Sequence, residues 1–113
     1  MADADTTVAA LREWVDRFVK DRDWGRYHNP KDLAIALSVE ASELLERFLW
    51  RSPPASGLAL EDPEGVADEL ADVLIYGLHL ANATGLDVSD IVSRKITKNE
   101  AKHPVGRPPR WIP

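Results

Sequence analysis

The chain contains no cysteine. That excludes disulfides and thiolate metal sites together. No run of apolar residues approaches the roughly 20 needed to cross a bilayer as a helix, so no membrane partner is expected. The opening residues, Met1-Ala2-Asp3-Ala4-Asp5, are acidic and lack the basic flank and apolar stretch of a secretory leader. The cytoplasm is therefore the expected compartment. Basic surplus is missing too: 14 Lys and Arg stand against 19 Asp and Glu, a net charge of −5. A protein that wraps duplex DNA needs clustered cations for the phosphates, so no nucleic-acid polymer is expected as a partner. A small anionic ligand stays open, because bound divalent cations let a carboxylate-rich surface hold phosphate. Strand signals are nearly absent, and no repeat recurs at a solenoid period.

What is present is enough for one folded domain: 113 residues, 44% hydrophobic and 29% charged. Two stretches interrupt it. Arg51 to Pro63 carries Pro53, Pro54 and Gly57 and reads as a loop. From His103 the sequence holds four prolines and reads as an irregular tail. The expected division is a domain over residues 1–103 and a Pro-rich tail over 104–113.

Between the breaks the pattern is helical. Val8, Leu11, Val15, Phe18 and Val19 make one stripe over about Thr7 to Asp21. Asn29-Pro30 pairs a capping residue with a proline suited to the first turn. The helix it opens carries Leu33, Leu37, Ala41, Leu44 and Phe48 and is expected to end near Trp50. Asp62-Pro63-Glu64 repeats that signature ahead of Val66, Leu70, Val73, Leu74, Leu78 and Ala81, and Gly85 supplies a left-handed stop. Asp87 starts the last helix, whose stripe is Val88, Ile91, Val92 and Ile96. The expected fold class is all-α, a four-helix bundle. So small a chain is not expected to bury every stripe alone, which makes self-association the expectation.

Four acids stand in the wrong place for a solvated face. Glu40 and Glu43 are spaced i, i+3 on the second helix, and Glu69 and Asp72 likewise on the third. At 100° per residue, Leu33 lies about 20° from Glu40 and Leu44 about 40° away, so Glu40 falls inside its helix's apolar stripe. Glu46, about 120° to the other side, faces water. Val73 lies about 40° from Glu69, and Asp72 flanks that stripe. Buried carboxylates need an offset. Basic partners are few: Lys31, Arg47 and Arg51 near the second helix and none on the third. Oxygen donors alone suit a hard cation, Mg²⁺ or Mn²⁺. A di-iron bundle would want Glu-x-x-His, yet the third positions after these acids are Glu43, Glu46, Asp72 and Ile75.

Aromatics gather near these elements. Trp24 sits beside Arg22, Arg26, Tyr27 and His28, and Trp50 precedes Arg51. An aromatic beside arginine at a loop edge is able to stack a nucleobase, or simply to close a helix end. Tyr76 follows Asp72 by one turn on the acid face. His28 reads as a ligand contact and His79 as structural. Lys95, Asn99 and Lys102 share a face of the last helix, either compensating its dipole or holding phosphate.

These residues carry a resemblance. Glu40-Ala-Ser-Glu43-Leu-Leu-Glu46-Arg-Phe-Leu-Trp50, Glu69-Leu-Ala-Asp72-Val-Leu-Ile-Tyr76, and Lys95-Ile-Thr-Lys-Asn99 with His103-Pro104 resemble the MazG-like all-α nucleoside triphosphate pyrophosphohydrolases, most of all the dCTP pyrophosphatase branch. The likeness extends to Arg22-Asp-Trp24 and Tyr27-His28-Asn-Pro30, and so runs over roughly residues 11–104. It implies Mg²⁺-dependent cleavage of a nucleoside triphosphate to the monophosphate and pyrophosphate. It further implies Glu40, Glu43, Glu69 and Asp72 as metal ligands; a carboxylate not fully used on metal can act on the water, and Glu43 is the expected one. Trp24, His28, Trp50 and Tyr76 would line the base and sugar pocket, and Lys95 and Asn99 would reach the phosphates. The subunits would form dimers or tetramers with shared sites. Many members have glycine at Ser42 and tyrosine at His103, which bears on packing and not on the acids. Two rival readings are a phosphoribosyl-ATP type of pyrophosphohydrolase on the same scaffold and a non-catalytic helical interaction module with a structural acid cluster.

Overall fold

A computed structural model of the chain describes residues 1–51 and 62–107. The described residues hold four helices and no strand: α1 (Val8–Asp21), α2 (Pro30–Glu46), α3 (Pro63–Thr84) and α4 (Val88–Lys102). None is long and apolar enough to cross a membrane. The body of the expected loop at 52–61, and the tail beyond 107 with Trp111, lie outside the described residues.

Each helix starts where its cap places it. Thr7, Asn29, Asp62 and Asp87 lie just outside the helical run, and each side-chain oxygen accepts the backbone N–H three residues on, at 2.9 to 3.0 Å. Such a bond satisfies a donor that the helix leaves orphaned, a contribution of about 1 kcal/mol. Pro30 and Pro63 occupy the first turns of α2 and α3, where no N–H is needed. Gly85 closes α3 at φ 69°, a conformation that costs glycine nothing.

α2 ends earlier than its apolar pattern implies. The helix stops at Glu46, Arg47 caps it, and Phe48 to Arg51 follow as turns closed by short-range backbone bonds. Trp50 sits at φ 67° and is 100% exposed, so it does not end a helix against a core.

Packing departs from a closed bundle as well. α2 lies along α3, and α1 packs on α3, but α4 has no comparable packing partner among the described residues and buries no residue. The physical reason is supply of cover. α3 carries more apolar side chains, Leu70, Leu74 and Ile75 among them, than α1 and α2 cover. Leu33 is 0% exposed, a burial worth about 2 kcal/mol, and Val19 and Ala81 join it. Leu11, Phe18, Leu70, Leu74, Val92 and Ile96, expected inside, stay open to solvent in the single chain.

Candidate active site

The seam between α2 and α3 carries the acids. One carboxylate oxygen from each of Glu40, Glu43 and Glu69 falls in a group whose members all lie within 4.8 Å of one another. The three side chains are half-buried, whereas Glu46 is exposed, as its helical angle requires. Asp72 stands outside that triplet but is near enough for its charge to act on Glu40. Glu40 Oε2 and Glu69 Oε2 are buried without any hydrogen-bond partner.

Electrostatics record the crowding. Burial, then the neighbouring Glu43 carboxyl, then the charges of Asp72 and Glu69 push the Glu40 carboxyl up to about 7. A Glu40 that keeps its proton to higher pH relieves part of the repulsion that three close carboxylates would otherwise suffer.

Arginine is present after all. Arg47 Nη2 donates to Glu69 Oε1 at 3.1 Å while Nη1 donates to Asp62 Oδ2 at 2.9 Å. The expectation that no basic residue answers these acids is therefore corrected for Glu69. Burial of Glu69, only 14% exposed in its side chain, keeps this pair from dissolving into solvent. Among the described residues Glu40 has no such counter-charge.

A second group adjoins the acids. The His28 ring lies 6.0 Å from the Trp24 ring, 6.5 Å from Tyr76 and 5.0 Å from His79, all edge to face. His28 Nδ1 is buried with no partner. His79 is 7% exposed, and burial, then the nearby His28, hold its pKa below the usual value against the opposing charge of Asp16. Trp24 is itself set by Phe18, 5.4 Å away, and by its N–H to the Val19 carbonyl. Glu69, Asp72, Tyr76 and His79 follow one another at steps of three, four and three along α3, within an arc of about 80°. One face of α3 thus runs from an acidic end to an aromatic end.

The structure brings together Trp24, His28 and Tyr76 in one group and Glu40, Glu43 and Glu69 in the other. It leaves Trp50 apart on its exposed turn. Lys95 and Asn99 stand exposed on α4, without an ion pair or side-chain hydrogen bond among the described residues. Ser42, at the family's frequent glycine position, turns its hydroxyl back to the Ser38 carbonyl at 3.1 Å and stays outside the seam. Sequence reasoning named Arg47 and His79 without placing them: the Arg47–Glu69 pair crosses from α2 to α3 and the His28–His79 contact joins a turn to α3, where spacing carries no signal.

An all-helical chain with acids converging on one seam and rings behind them defines a class, and comparison with known proteins agrees. The model of the MazG-like family matches residues 35–108, and the chain belongs to that family. It is 34% identical over 104 residues to dCTP pyrophosphatase 1 of Mus musculus, covering 89% of this chain and 61% of that protein. The Homo sapiens dCTP pyrophosphatase 1 is 32% identical over 103 residues, covering 88% and 61%. The chain thus spans about 61% of the length of these relatives. A crystal structure of a pyrophosphatase from Archaeoglobus fulgidus superposes with a TM-score of 0.81 at 38% identity, covering 92% of this chain and 98% of that one.

Proposed function

We propose that this chain is a metal-dependent nucleoside triphosphate pyrophosphohydrolase that clears nucleotides from the cytoplasmic pool. Triphosphate and water would yield the monophosphate and pyrophosphate. dCTP is the first substrate to try, since mammalian relatives carry that name. The observation that carries the reading is the pair of buried, unpartnered oxygens on Glu40 and Glu69 within a convergent carboxylate triplet. Leaving such oxygens unpaired costs several kcal/mol, and a cation among them offsets that cost.

The donor set fits Mg²⁺, with Mn²⁺ as a substitute, because every available ligand is a hard oxygen. Glu40, Glu43, Glu69 and Asp72 would hold it. Bound there, the cation would neutralise triphosphate charge and acidify a nearby water. The chain's own side chains supply the rest. Trp24, His28 and Tyr76 would receive base and sugar at the aromatic end of α3, which directs the triphosphate toward the acids. Trp50, free on its turn, would cover the base from the rim. Glu43 would orient the water and take its proton as the water attacks the α-phosphorus. The bond to the β-phosphate oxygen then breaks, and pyrophosphate leaves with that electron pair. We assign residues 1–103 to this unit and 104–113 to an appended tail.

Self-association belongs to the proposal. Leu45, Leu70, Leu74 and Ile75 are open in the single chain, and a homodimer or homotetramer would cover them. Lys95 and Asn99 would then reach phosphates in a site completed by a second copy.

Pyrophosphate release is the direct test, measured across deoxy- and ribonucleoside triphosphates and phosphoribosyl-ATP, with Mg²⁺ and with EDTA. The expected result is Mg²⁺-dependent release that favours one triphosphate. Folded Glu43→Gln and Asp72→Asn variants that keep the full rate would overturn the assignment. A melting temperature indifferent to Mg²⁺ would favour a non-catalytic interaction module instead.

A further inference from the structure

Arg47 occupies an unusual place. It caps the C-terminal end of α2, yet its guanidinium turns away from that helix and crosses to α3. One nitrogen holds Asp62, the residue that caps α3, and the other holds Glu69 two turns further along. Asp62 is itself fixed, because its other oxygen accepts the Gly65 N–H at 3.0 Å. The guanidinium is therefore anchored at one prong before it meets Glu69 with the second.

Gly65 makes room for this. A Cβ at that position would run into the Asp62 carboxylate and stand 2.9 Å from Arg47 Nη1. Gly65 is buried inside the first turns of α3, where alanine would favour the helix by about 1 kcal/mol. The sequence forgoes that gain and keeps a lane for the arginine.

The consequence falls on Glu69. Arg47 occupies Oε1, and Oε2 is left buried with no partner. A carboxylate held by one oxygen cannot rotate to chelate with both. Resting on the metal-binding reading above, we infer that Arg47 is a positioning residue: with Gly65 and Asp62 it clamps Glu69 so that a single oxygen, Oε2, faces the cation. The forked geometry does this, not the positive charge. A lysine at 47 would keep the charge and lose the two parallel prongs. The charge by itself works the other way, since a cation beside the cluster repels an arriving one.

The two effects differ in sign, so binding of Mg²⁺ alone tests the clamp. The measurement is calorimetric titration of the metal-free full chain, with circular dichroism to establish folding. For Arg47→Gln and Arg47→Lys the clamp predicts weaker Mg²⁺ binding by about tenfold, the usual loss when a ligand's orienting partner is removed. Gly65→Ala, which alters no charge and no ligand, should weaken Mg²⁺ binding in the same direction, with circular dichroism reporting that the metal-free protein stays folded. At saturating Mg²⁺ the hydrolytic turnover of all three should return close to that of the unaltered chain. Tighter binding by Arg47→Gln, or unaltered binding by Arg47→Lys and Gly65→Ala, overturns the clamp and leaves the metal site standing. Failure of the unaltered chain to bind Mg²⁺ overturns both, and so separates the two claims.

Discussion

Arg12 and Asn82 exchange hydrogen bonds across 70 residues of sequence: Arg12 Nε donates to Asn82 Oδ1, and Asn82 Nδ2 donates to the Arg12 carbonyl, each at 3.0 Å. The pair ties the middle of α1 to the last turn of α3. It thereby holds α1, whose far end packs Phe18 against Trp24, on α3.

Asn82→Ala removes both bonds and leaves the half-buried Arg12 side chain without its partner. We expect a loss of about 2 kcal/mol, at roughly 1 kcal/mol for each bond, read as a lower urea midpoint with an unchanged slope. Substrate affinity should fall with it, because the aromatic end of the site hangs from α1.

Acid should stabilise the metal-free chain through Glu40. Its carboxyl rises from an ordinary 4.5 to about 7 on folding, chiefly by burial and then by Glu43. Between those values the folded state binds the extra proton, so this contribution is complete below pH 4.5 and is lost as pH rises through 7. Melting in EDTA should show that fall, and Glu40→Gln should flatten it. An unchanged profile in Glu40→Gln would remove Glu40 as the source.

His79 pulls in the other direction. Burial and the nearby His28 hold its pKa below the ordinary 6.5, so the folded chain resists the proton that the unfolded chain accepts. Its contribution is present above pH 6.5 and is lost as pH falls below that value. His79→Leu keeps the burial and removes the titration. Comparing urea midpoints of the two chains between pH 5 and 8 isolates the difference, which should widen toward acid.

Leu74 is 59% exposed in the single chain. If that exposure were final, Leu74→Glu would change stability by no more than about 0.5 kcal/mol. If a second copy covers it, the same change places a charge in an apolar contact. We expect light scattering to report a smaller assembly for Leu74→Glu, with helix content retained.

Helix beginnings were legible because capping is local. Thr7, Asn29, Asp62 and Asp87 each bond a backbone N–H three residues away, and both first-turn prolines accompany a cap. The acid seam was legible for a related reason: Glu40 and Glu69 interrupt apolar stripes whose phase is set by the helix itself. The end of α2 was not, since Phe48 and Leu49 continue its pattern after the backbone has turned. Periodicity reports which face wants cover and not what provides it, so Leu70 and Leu74 looked like core. The Arg47–Glu69 pair joins residues 22 apart on different helices, and the His28–His79 contact joins a turn to a helix. Neither distance has a counterpart in sequence spacing.

α4 buries none of its 15 residues. A lone segment of about 12 to 15 residues is barely helical in water. Its amide protons therefore form a natural gauge of assembly: rapid exchange with deuterium on dilution, slow exchange when neighbouring copies press Val92 and Ile96 out of water.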